Sequence, residues 1–144
     1  CVNTMFRYAM ANHEITIDNS AIWRPILSVH DAATAYINSI EANKDISGIF
    51  NVASGNYTIG EIGDLVKFVI KEELQIDIHL NIKHVHDLRN YKVSSTRAEE
   101  TLTFKPQHDV QAIVRDLIRH RDLFSDFDNP NYYQLQVFKA LKEK

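Results

Sequence analysis

The chain has 144 residues, 44% of them hydrophobic and 24% charged, which is the make-up of one ordinary globular domain. A net charge of -3 supplies no general attraction to nucleic acid or to an anionic membrane, and no apolar run approaches the roughly 20 residues of a spanning helix. The single cysteine, Cys1, excludes an internal disulfide and a cysteine-based zinc site.

In chain order, residues 1–12 read as a helix, with Val2, Met5, Phe6, Ala9 and Met10 at helical spacing. Asn3 and Thr4 fall in its first turn, where unpaired backbone N–H groups and the helix dipole suit phosphate; from the residues alone Asn3 reads as a solvated polar residue. Residues Glu14 to Asp18 alternate as a short strand, with Ile15 and Ile17 on one face. Ile26, Leu27 and Val29 then predict a strand running into a helix, with Asp31 as its N-cap and Ala33, Tyr36, Ile37 and Ile40 as its apolar stripe. Arg24 stands just before that strand, either as a surface cation or facing an anionic ligand. Lys44 to Gly48 is a turn, and Ile49 to Ala53 is a strand.

Ser54 to Tyr57 is a second turn, and Thr58-Ile59-Gly60-Glu61 is a capping box opening a helix to about Leu74. Gly60 and Gly63 weaken that helix by roughly 1 kcal/mol each relative to alanine, which close packing would offset. Gln75 to Ile82 alternates as a half-buried strand. His79, His84 and His86 follow at loose spacing, with only Asp77 and Asp87 as carboxylate support, so they read as solvated histidines and no metal site is expected. The stretch Asp87-Leu88-Arg89-Asn90-Tyr91-Lys92-Val93 is a loop whose cations either reach a ligand in a cleft or pair on the surface as Asp87–Arg89. A helix starts at Ser95-Thr96, and Asp109 caps another that runs to His120. Phe124, Phe127, Tyr132 and Tyr133 mark an aromatic tail, and a loosely packed helix over 134–144 closes the chain.

Four of these stretches, in this order, resemble the second half of the extended short-chain dehydrogenase/reductase family. They are Arg24-Pro25-Ile26-Leu27-Ser28-Val29-His30-Asp31-Ala32-Ala33-Thr34-Ala35-Tyr36, Ile49-Phe50-Asn51-Val52-Ala53-Ser54, Tyr57-Thr58-Ile59-Gly60-Glu61-Ile62, and Asp87 to Ser94 with Leu102-Thr103-Phe104-Lys105-Pro106 beyond it. The resemblance implies an α/β fold: 1–144 as one small mixed α/β substrate-binding portion, without the N-terminal Rossmann domain, whose sheet would take the strand near 49–53. An edge strand without its neighbour tends to pair with another copy, so association into a homo-oligomer, or disorder in that part, is expected.

The resemblance also implies the chemistry. The parent would be an NAD-dependent nucleotide-sugar epimerase or dehydratase, and its partner a nucleoside-diphosphate sugar. Asn3, Arg24 and Arg89, with His84 as second choice for the last, would grip the phosphates, a task for which guanidinium is well shaped. Thr16, Ile17 and Asp18 would lie beside the base. The family often has glycine where Thr103 stands and histidine where Ser28 stands, so a different helix stop is expected at Thr103. Neither the glycine-rich dinucleotide turn nor tyrosine and lysine four apart is found: Tyr8, Tyr36, Tyr57 and Tyr91 are followed at that distance by Asn12, Ile40, Glu61 and Ser95. No catalytic and no cofactor-binding residue is therefore assigned, NAD is expected only in the parent, and the chain alone is expected to be inactive. A non-catalytic binding or assembly module that kept the fold, and part of an NADPH-dependent reductase, are the alternatives. The chain opens at Cys1 inside a helical pattern, so it reads as part of a longer protein; Asn3, Thr4 and Arg7 argue against a signal peptide, and the expected location is the cytoplasm.

Overall fold

The structure is a computed structural model that describes residues 1–84, 89–127 and 129–142, Gln134 by its backbone alone. Its elements are α1 (Val2–Asn12), β1 (Glu14–Ile17), β2 (Trp23–Ile26), α2 (Val29–Glu41), β3 (Gly55–Thr58), α3 (Ile59–Leu74), β4 (His79–Ile82), α4 (Thr96–Leu102), α5 (Val110–Arg119) and α6 (Gln134–Lys142). Two short sheets result. β1 runs parallel to β4, with Ile15 opposite Leu80, and β2 runs antiparallel to β3, with Arg24 opposite Tyr57.

The main core lies where α1, α3 and α5 meet β1. Val2, Met5, Phe6 and Ala9 from α1 interlock with Ile62, Val66, Val69 and Ile70 from α3 and with Val110 and Val114 from α5. The predicted capping box is present: the Thr58 hydroxyl accepts the Glu61 N–H at 3.1 Å, and the Glu61 carboxylate accepts the Thr58 N–H at 2.6 Å. Gly63 is needed for packing, since a Cβ there would stand 2.5 Å from Cδ1 of buried Ile17. Asp109 caps α5, accepting the Ala112 N–H at 2.8 Å.

Four readings change. First, α2 starts at Val29 with Ser28 as N-cap, the Ser28 hydroxyl accepting the Asp31 N–H at 2.9 Å. Second, the apolar stripe of α2 faces outward: Tyr36 is 74% exposed and Ile40 83%, while Asp31 and Ala35 are the buried residues. Third, residues 49–53 join no ladder among the described residues, and the strand comes later, at β3. Phe50 and Val52 instead pack on a second, smaller cluster of Ala35, Ala98 and Phe104. The Ala53 N–H goes to the Ser95 hydroxyl at 3.0 Å. A strand needs a neighbour to take its backbone hydrogen bonds, and none stands beside 49–53 among the described residues. Fourth, Thr103 ends α4 in the left-handed conformation at φ 54, the geometry expected only of glycine there.

Candidate functional site

Strand alternation sets the first wall. In β1, Ile15 and Ile17 are buried in the core, and Glu14, Thr16 and, just past the strand, Asp18 fall on the other face. That outward face and α1 line a cleft of about 780 Å³ whose far side carries Arg24 and Arg89. Four predicted residues therefore meet in one place: Thr16, Asp18, Arg24 and Arg89. Ile17 does not present its side chain there, because that side chain is core, and its carbonyl accepts the Lys83 N–H at 2.8 Å. Asn3 lines an adjoining cleft of about 540 Å³, and Arg24 belongs to the walls of both. His84 is exposed and lines neither. His86 and Asp87, with the expected Asp87–Arg89 pair, lie outside the described residues.

The segment 89–93 is laced onto β2 and β3. Arg24 donates through Nη1 to its neighbour Trp23's carbonyl at 2.8 Å and also to the Arg89 carbonyl. The Asn90 side-chain oxygen accepts the Trp23 N–H at 2.9 Å, and Asn56 bonds Val93 twice, at 2.9 Å each. Aromatic rings complete the contact, with the Arg24 guanidinium 5.6 Å from the Tyr91 ring centroid and the Lys92 ammonium 3.3 Å from that of Trp23. Arg24 is thus aimed by two carbonyls from segments far apart in sequence. The cleft pairs two guanidinium-bearing residues with the carboxylates of Glu14 and Asp18, so its draw on an anion is local to Arg24 and Arg89.

Beneath the second cleft lies a residue read from sequence only as a helix cap. Asp31 is 1% exposed and accepts four hydrogen bonds: the His108 ring Nδ1 at 2.9 Å, the Gln107 N–H at 2.9 Å, the His108 N–H at 3.0 Å and the Ser54 hydroxyl at 2.8 Å. Burial by itself would push its carboxyl pKa up. The donors, led by the His108 ring, outweigh burial and hold it well below the usual carboxylate range. His108 lines the second cleft with His30 and Asp116; the two imidazoles lie 5.2 Å apart, and His30 Nε2 is 3.6 Å from Asp116. The spacing Ser28-x-x-Asp31 is itself a capping-box signal that points to Ser28 as the cap. Nothing local in the sequence points to His108. No cluster of three or more ligating side chains that could hold a metal occurs among the described residues. Nor is any helix among them long and apolar enough to cross a membrane.

No protein-family model matches the chain, and no curated protein matches it. Solved structures do. UDP-glucose-4-epimerase from Stenotrophomonas maltophila, with bound NAD and formylated UDP-arabinopyranose, superposes at a TM-score of 0.72 over 86% of this chain and 40% of its own, at 16% identity. UDP-N-acetylglucosamine 4-epimerase from Bacillus cereus matches at 0.66 over 81% and 40%, at 24% identity. L-threonine dehydrogenase from Phytophthora infestans matches at 0.67 over 83% and 40%, at 19% identity. The chain therefore has the fold of part of these epimerases and dehydrogenases and spans about 40% of their length.

Proposed function

We propose that this chain, folded as about two-fifths of an extended short-chain dehydrogenase/reductase, is the substrate-binding portion of an NAD-dependent nucleotide-sugar epimerase or dehydratase. The observation that carries this reading is the convergence of Thr16, Asp18, Arg24 and Arg89 on one cleft, with Arg24 aimed by the Arg89 carbonyl. The diphosphate of a sugar nucleotide would sit against the Arg24 fork, the base along the outer face of β1, and Asn3 would reach the phosphates from the adjoining cleft. The neighbour from Stenotrophomonas maltophila, with its NAD and UDP-sugar analogue, supports the same assignment.

The residues present do not fit NAD. Gly60 and Gly63 stand at the start of a helix after a strand, where a dinucleotide turn would be, but both are taken up by packing. A Cβ on Gly60 would lie 3.1 Å from Ser20, and one on Gly63 would lie 2.5 Å from Ile17. The N-terminus of α3 is closed by its own capping box. No tyrosine and lysine four apart are available for proton transfer. The nicotinamide chemistry thus belongs to the portion that the neighbours carry outside the match, and this chain alone binds without turning over.

Calorimetric titration of the 144-residue chain with UDP, ADP, GDP, L-threonine and NAD tests this. One nucleoside diphosphate should bind, and Arg24→Ala should weaken it by about 1.5–3 kcal/mol, the worth of a charge-assisted hydrogen bond. Unchanged affinity in that variant removes Arg24 from the site. Binding of L-threonine and of no nucleotide would favour a dehydrogenase of small substrates, a reading that the Phytophthora infestans neighbour makes specific.

A further inference from the structure

We infer that the cavity between α1 and the aromatic tail is a second small-molecule site, built for a flat aromatic ring that carries a carboxylate. It lies outside the cleft proposed for the base and diphosphate of a sugar nucleotide and does not rest on that reading. The aromatic tail is the stretch of sequence that the proposed function leaves unused. Two short 3-10 turns, Arg121–Phe124 and Pro130–Tyr132, shape it. Phe124, Phe127, Tyr132 and Tyr133 of the tail then share one cavity with Phe6 and Arg7 of α1. Its volume of about 520 Å³ falls within the roughly 300–1,000 Å³ of small-molecule sites.

The rings set the shape of the occupant. Phe6 belongs to the main core and Phe124 packs against it, so this wall is anchored. Both tyrosine hydroxyls are taken: Tyr132 donates to the Leu123 carbonyl at 3.2 Å, and Tyr133 donates to the Phe127 carbonyl. What the two tyrosines offer an occupant is therefore ring and not hydroxyl. Aromatic pairs gain from offset and edge-to-face contact beyond the area they bury, so a flat ring is held better here than an alkyl chain of equal area.

Arg7 sets the charge. It is half-buried, and among the described residues no carboxylate lines the cavity with it. Its partners there are aromatic. It donates to the Tyr133 hydroxyl, and its guanidinium lies 4.5 Å from the Tyr8 ring centroid and 5.3 Å from that of Tyr133. The two rings hold the guanidinium in place, and a single hydrogen bond leaves the rest of its fork to donate. A carboxylate matches that planar fork and supplies the counter-charge that the wall lacks. Asn3 and Leu117 line both this cavity and the cleft of about 540 Å³, so the two are neighbours across the start of α1.

The test is titration of the 144-residue chain at neutral pH, followed by calorimetry and NMR, with three probes. They are 2-naphthoate, 2-naphthylmethylamine with the opposite charge, and octanoate with no ring. Naphthoate should bind at a single site, shift the amides of Arg7, Phe124, Phe127 and Tyr132, and bind about tenfold more tightly than either comparator. Arg7→Gln should weaken it by about tenfold, and Arg7→Lys should recover part of that loss. Equal binding of the amine overturns the inference, because the charge of Arg7 would then count for nothing. Equal binding of octanoate overturns it too, since the cavity would be an acyl site. So does a failure of naphthoate to bind, or shifts confined to residues around Arg24. The three-probe comparison uses the unaltered chain, so it decides even where a change at Arg7 loosens the tail. A nucleoside diphosphate that displaces naphthoate would give the cavity to the sugar nucleotide and overturn the inference. One that binds alongside naphthoate supports both readings. Naphthoate bound where no nucleotide binds upholds this site while the sugar-nucleotide reading fails.

Discussion

At the scale of single residues, Asp31 and Arg24 show two ways of placing a charge. Asp31 is buried and has every donor it needs, so its charge organises the chain. Replacing it with asparagine removes a charge-assisted acceptor and turns an amide toward existing donors. Asp31→Asn should cost roughly 3 kcal/mol in urea unfolding. The pH dependence has a definite sign. Its folded carboxyl is held below the ordinary range, so the unfolded chain, with a carboxyl near 3.9, takes up the proton first. Its contribution is complete above about pH 5 and erodes as pH falls through 4 and lower. The stability gap between the native chain and Asp31→Asn should therefore narrow from pH 6 to pH 3. Arg24 was singled out through the resemblance of the stretch it opens, since an arginine beside a strand-to-helix joint also reads as a surface cation; the structure puts it in the wall of a cleft. Asp31 was legible as a helix-start residue and no more, because three of its four bonds come from residues 107 and 108, which no local pattern connects to residue 31.

At the scale of elements, the ends of helices make the sharpest predictions. Thr58→Ala breaks the capping box and should lower stability by about 1 kcal/mol, read as a fall in the melting temperature. Thr103 sits at φ 54, where a β-branched side chain is strained. Its backbone carbonyl is what Asn38 bonds, at 3.3 Å, so a glycine keeps that contact. Thr103→Gly should raise stability by about 1 kcal/mol. Helices α1, α3 and α5 were readable from spacing because their apolar residues face the core that their own chain builds. The same rule misassigned α2: Tyr36, Ile37 and Ile40 are correctly spaced for burial, but among the described residues nothing covers that side of the helix. Strand propensity failed at 49–53 because no ladder partner stands beside it among the described residues, and β3 was read as a turn because Gly55 and Asn56 are turn formers that pairing with β2 overrides.

At the scale of the whole molecule, the packing is uneven. The larger cluster ties α1, β1, α3 and α5 together, and the smaller one holds the inner side of α2, residues 50–52 and α4. Arg7 of α1 bonds the Tyr133 hydroxyl of the tail and lies 5.3 Å from its ring centroid, Phe124 packs on the main core, and α6 leaves Leu135, Phe138 and Leu141 exposed. Hydrogen exchange of the isolated chain should therefore be slowest in α3 and α5, intermediate in α4 and fastest in α6. Equal protection in α6 and α3 would contradict this. The class of fold came from the resemblance carried by four ordered stretches, whereas the pairing of β1 with β4, across more than sixty residues, left no mark in the sequence.

The place of Arg24 in the walls of both clefts has a thermodynamic consequence. Under the proposed function one sugar nucleotide reaches into both clefts, so a change at this guanidinium would be felt at both ends of the ligand together and not at one alone. Arg24→Ala and Asn3→Ala would then be non-additive in a double-mutant cycle on nucleotide affinity, whereas strict additivity would mean that the two clefts act separately.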